Sequence, residues 1–153
     1  MKKFFVLSTV LIAFLGCKKD SSDAGNKPVL TFKSVSTEDV PAELKMLTFT
    51  FRLQDGDGDT EQALYVNDIR FEDETKFDEV FMPALESHKG IKLDAEVILY
   101  VSDLSDAVRM RLRDGRDPDL VPNPDTLQYR VFVLDNAGNS SDTITLPKVA
   151  VHR

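Results

Sequence analysis

From Pro28 onward, apolar and polar residues alternate with a period of two rather than 3.6, the signature of half-buried strands. Leu47, Phe49, Phe51 and Leu53 fall on one face of 47–53, with Thr48, Thr50 and Arg52 on the other. Leu93, Ala95, Val97, Leu99 and Val101 form a second such stripe, and Leu127, Tyr129, Val131 and Val133 a third. Shorter stretches rich in strand formers occupy 29–35, 65–71, 77–82 (stopped by Pro83) and 144–151. Turn-forming residues separate them at 55–59, 87–90, 114–125 and 135–141. Residues 102–113 fit a short helix or an edge strand equally well. About seven strands over this length predict an all-β, antiparallel two-sheet sandwich.

The first residues break this pattern. Lys2 and Lys3 precede an almost unbroken apolar run from Phe4 to Leu15, and Gly16 and Cys17 follow. The run is too short for a comfortable permanent span, and its order of charge, apolar middle and small residue is that of a secretory signal. Phe14-Leu15-Gly16-Cys17 resembles the lipobox of bacterial lipoproteins, with Phe14 where Leu is usual. The resemblance implies cleavage after Gly16, a thioether-linked lipid on Cys17 and acylation of the new amino group. Several acyl chains together give a stable membrane anchor.

Residues 17–27 read as a polar tether, because they contain no hydrophobic side chain larger than Ala after the cysteine and so cannot bury enough surface to order themselves. The division expected is therefore a signal over 1–16, a lipidated tether over 17–27 and a β-sandwich over 28–153. Cys17-Lys18-Lys19-Asp20 with its polar linker looks like the start of mature Bacteroidota lipoproteins, which implies an outer-membrane location, facing either the periplasm or the cell surface. The stretch Tyr129–Ser141, with Asp135-Asn136-Ala137-Gly138-Asn139 at its turn, looks like the end of secreted immunoglobulin-like modules. Taken together, the chain is similar to Bacteroidota envelope lipoproteins carrying an immunoglobulin-like β-sandwich.

Charge and composition narrow the chemistry. The 153 residues carry 19 basic and 26 acidic side chains, a formal charge of −7. Loss of Lys2 and Lys3 with the signal leaves 17 basic residues against 26 acidic, or −9. So acidic a chain is a poor partner for nucleic acid. Its one cysteine, Cys17, allows neither an internal disulfide nor a CxxC site, and its two histidines make no zinc signature. Ser87-His88 is only a sequence adjacency, and there is no G-x-S-x-G elbow. Tyr65, Tyr100 and Tyr129 are the tyrosines available to a glycan platform, and Tyr129 shares its face with core positions.

Asp55-Gly56-Asp57-Gly58-Asp59 is the strongest local signal. Alternate aspartates in a glycine-permitted loop can turn several carboxylates toward one point, as a hard cation such as calcium requires. It is not an EF-hand, since Thr60 and Val66 stand where that loop has Gly and Glu. In immunoglobulin order the strands ending near Leu53 and Leu134 run the same way, which would bring Asp135, Asn136 and Asn139 to the same end. The expected metal set is Asp55, Asp57, Asp59, Asp135 and Asn136. The bland alternative is a solvated turn, for which Asp and Gly are also the preferred residues.

A second acidic stretch, 114–125, contains Arg116 and follows Arg111 and Arg113, so it can neutralise itself. It fits a partner-binding loop or an inert insertion at the opposite end. Asp125-Thr126-Leu127 and Asp142-Thr143-Ile144 resemble the O-glycosylation signal of Bacteroidota envelope proteins. The function expected is a membrane-anchored, non-enzymatic binding or assembly module with a protein partner, stabilised by calcium if the acidic loop is a site. The alternatives are an accessory subunit of an outer-membrane uptake system and a small hydrolase.

Overall fold

The computed structural model describes residues 25–60, 63–70, 75–82, 91–102 and 121–152. The signal, Cys17, Ser87-His88, and the ambiguous stretch after Ser102 lie outside the described residues. Among those described there are strands and no helix. The strands are β1 (Val29–Val35), β2 (Asp39–Val40), β3 (Met46–Asp55), β4 (Ala63–Asp68), β5 (Asp78–Phe81), β6 (Leu93–Ser102), β7 (Asp125–Leu127), β8 (Tyr129–Leu134), β9 (Ile144–Thr145) and β10 (Val149–Val151). They form sheets in the orders β1-β3-β6, β2-β10-β7 and β5-β4-β8-β9.

The expected stripe of 47–53 is the centre of the first sheet. Leu47, Phe49, Phe51 and Leu53 are each at most 1% exposed, with β1 on one side and β6 on the other. Leu127, Tyr129, Val131 and Val133 are likewise buried. Side chains of all three sheets share one hydrophobic cluster, and the Phe49 ring meets Tyr129 edge-on at 5.8 Å between centroids. Tyr65 does not stand free as a platform: it stacks on Phe132 at 4.8 Å between centroids.

Three departures from the sequence reading have local causes. First, the strand expected over 144–151 divides into β9 and β10, which lie in different sheets. Pairing passes from Val131↔Ile144 in one sheet to Leu127↔Val149 in the other, and Pro147, which has no N–H to give a ladder, lies between them. Second, pairing is not wholly antiparallel, because β2 runs parallel to β10. Third, the inward stripe of β6 is only partly covered: Leu93 and Leu99 are buried, while Ala95, Val97 and Val101 are half-buried. β5 and β6 are the outer strands of their sheets and line an apolar cleft of about 300 Å³. Ile98 and Tyr100, on the outward face of β6, are exposed as the alternation predicts.

Candidate metal centre

β3 ends at Asp55, and the chain turns through Gly56–Thr60 before β4 begins at Ala63. Gly58 sits at φ 66°, the left-handed region where a side chain would be strained. The turn is built around the Asp55 carboxylate. Its Oδ2 accepts hydrogen bonds from Asp59 N (2.9 Å), Thr60 N (3.1 Å) and Thr60 Oγ1 (2.8 Å). Asp55 and Thr60 are both completely buried. Three donors on one oxygen fix the plane of the carboxylate and thereby aim Oδ1.

That second oxygen has no hydrogen-bond partner, and neither do the buried Oδ1 atoms of Asp57 and Asp59. The three carboxylates offer oxygens within 4.8 Å of one another. Buried polar atoms without a partner are rare in folded proteins, and three like charges facing one point repel. Burial, reinforced by the neighbouring Asp55, raises the pKa of Asp57. Asp59 is raised by burial first and then by the charges of Asp135, Asp57 and Asp55. A cation is the group that would satisfy all three oxygens and reverse both shifts.

The β8–β9 loop closes the same end. Asn136 N donates to the Asp59 carbonyl at 3.1 Å, so the two loops touch through the backbone. Asp135 is buried beside Asp59, but both its carboxylate oxygens are already held. Oδ1 accepts from Asn139 N (2.6 Å) and Oδ2 from Asn139 Nδ2 (2.7 Å). Gly138, at φ 86°, permits this tight turn. Of the five residues expected to ligate, the geometry gathers Asp55, Asp57 and Asp59. It sets Asp135 at their rim with its lone pairs shared, and leaves Asn136 exposed.

Thr60 was legible only as a departure from the EF-hand pattern, yet it is the residue that orients Asp55. The other buried ionic group carried no local signal at all. Arg70, just after β4, donates from Nε to both oxygens of Asp68 (2.9 and 3.0 Å) and from Nη1 to Asp125 Oδ2 (2.8 Å). Asp125 is therefore paired with a cation from 55 residues away; the arginines preceding it, at 111, 113 and 116, lie outside the described residues. Burial opposes the charge on Arg70, but the hydrogen bonds and charges of Asp68 and Asp125 outweigh it and raise its pKa.

The fold and site together define an all-β domain of several antiparallel sheets, with an acidic cluster at one end that could hold a metal ion. Comparison with known proteins finds no matching family model, no matching curated protein and no matching solved structure.

Proposed function

We propose that this chain is a non-enzymatic envelope lipoprotein, anchored through Cys17, whose immunoglobulin-like β-sandwich is completed by a calcium ion at Asp55, Asp57 and Asp59. The single observation that carries the metal is the Oδ1 of Asp55, wholly buried, unpartnered and aimed at two further unpartnered carboxylate oxygens. An all-oxygen carboxylate donor set suits calcium better than magnesium, which demands strict octahedral geometry and sheds its water reluctantly. Calcium takes six to eight oxygens, so water or the rim carboxylate of Asp135 would complete the shell. Support for the sandwich comes from the strand orders β1-β3-β6 and β5-β4-β8-β9, whose inward faces share one core, and from the short parallel pairing of β2 with the last strand. Support for the anchor comes from the sequence alone, in Phe14–Cys17 and the polar stretch after it. Outside the cytoplasm, sites of this kind work at about 10⁻⁴–10⁻³ M calcium.

A ligand that binds only the folded form raises its melting temperature. Calcium should therefore raise it and a chelator should lower it, with magnesium doing less. Asp57→Ala should abolish most of the rise, while Asp78→Ala, on exposed β5, should not. Identical melting with calcium and with chelator would reduce the loop to a turn. For the anchor, Cys17→Ser should move the protein from the membrane to the soluble fraction and remove the acyl mass from its mature terminus. Unchanged fractionation and mass would refute lipidation.

A further inference from the structure

We infer that cation binding at this centre also clasps the end of the tether to the domain; this rests on the calcium reading above. Three successive residues that composition assigns to the tether touch the two loops of the site. Gly25 O accepts from Gly56 N at 3.2 Å, Asn26 O accepts from Asn139 Nδ2 at 2.9 Å, and Lys27 Nζ pairs with Asp142 Oδ1 at 2.7 Å. All three residues are exposed, and none brings a large apolar side chain to bury. Exposed ion pairs such as Lys27–Asp142 contribute little. The docking of 25–26 therefore depends on the two hydrogen bonds, one donor from the acidic loop and one from the β8–β9 loop that touches it.

Gly56 lies between Asp55 and Asp57, so a displacement of those two residues would carry its N–H away from Gly25. Asn139 is positioned by Asp135, to which it donates from both its backbone N and its Nδ2. The second N–H of that same Nδ2 is the one that reaches Asn26. Without a cation, repulsion among Asp55, Asp57, Asp59 and Asp135 strains both loops at once. With a cation the repulsion becomes attraction and both donors stay aimed. Linkage makes the effect mutual: a docked tether end tightens the ion, and the ion tightens the tether end. Release of three residues would lengthen the reach from the membrane by about 10 Å and loosen the orientation in which the domain is held.

The test is nuclear magnetic resonance on the mature chain in detergent, in calcium and in chelator. With calcium, exchange of the Gly56 amide should slow at least about tenfold more than that of Ile69. The Ile69 amide bonds to Gln128 O away from the acidic loops. The order parameter of the Asn26 amide should rise from below about 0.6 to about 0.85. Asn139→Ala should abolish the ordering at Asn26 while leaving a calcium-dependent rise in melting temperature. If calcium raises the melting temperature but Gly56 and Asn26 do not change, the clasp is wrong and the metal site stands. If Asn139→Ala leaves Asn26 ordered by calcium, the clasp is likewise wrong. If calcium changes neither melting nor exchange, the clasp falls together with the site.

Discussion

The two ends of this β-domain bury carboxylates by opposite means. Where β4 ends and β7 begins, Asp68 and Asp125 close around Arg70, whose side chain is only 4% exposed. A planar guanidinium supplies several donors in a fixed fork, so both acids are hydrogen-bonded to one cation that they share. Where β3 and β8 end, Asp55, Asp57 and Asp59 converge with no lysine or arginine paired to them among the described residues. The first end carries its counter-charge in the sequence. On the proposed calcium reading, the second takes its counter-charge from solution. The same chain would then have one end whose stability is built in and another whose stability depends on the surroundings, and Gly25 and Asn26 contact the second.

Substitutions that exchange these roles give the largest effects. Arg70→Met should destabilise the domain by about 3–5 kcal/mol, because it removes the guanidinium that two buried acids share. Denaturant unfolding should give the same loss with calcium as with chelator. Asp55→Asn should do the reverse. An amide oxygen can keep the three bonds that Asp55 Oδ2 accepts, while the NH₂ group donates toward Asp57 and Asp59. In chelator this variant should be about 1 kcal/mol more stable than the parent, and in calcium it should gain nothing further. A variant that is less stable than the parent in chelator, yet still responds to calcium, would mean that the acidic end is not under repulsion.

The contrast between the ends also explains what the sequence could disclose. Strand periodicity is a local property, so 47–53 announced both its strand and its buried face, while 127–133 announced its buried face but not its division into β7 and β8, which lie in different sheets. The acidic cluster was legible for the same reason, since the three carboxylates that could hold a cation come from five consecutive residues, 55–59. The partnership of the loops was legible only through topology, which brought Asp135 beside Asp59 but could not reveal that Asn139 already occupies it. The Arg70 group left no trace in the sequence. Arg70 looks like any charged residue after a strand, and Asp125 like one more acid in a polar loop; only the pairing of β4 with β8 and of β7 with β10 brings them to one end. Exposure of the β6 flank was hidden too, because alternation shows which face turns inward but not whether a neighbouring strand covers the edge.

The smallest effect is also the one most specific to the acidic end. In the absence of a cation, burial and like charges hold the Asp57 and Asp59 carboxyls above the ordinary aspartate value of about 3.9. The folded state then keeps its protons to higher pH than the unfolded state does. Stability contributed by these two groups is therefore lost as the pH rises through the raised values, and regained on acidification toward the ordinary value. Exposed Asp94 and Asp142 have the opposite sign. Arg52 lowers the one and Lys27 the other, so their contribution is present above the ordinary value and lost as pH falls. Salt screens those exposed pairs. Calcium bound there would reverse the sign at Asp57 and Asp59, because a bound cation favours the ionised form. Melting curves across about pH 4–7 at moderate salt should therefore diverge: the gap between calcium and chelator should widen as the pH rises, and close near the ordinary carboxylate value as protons displace the ion. Asp57→Asn combined with Asp59→Asn should bring the two curves together, whereas Asp94→Asn should leave the gap intact. A gap independent of pH would place the calcium effect elsewhere than on these carboxylates.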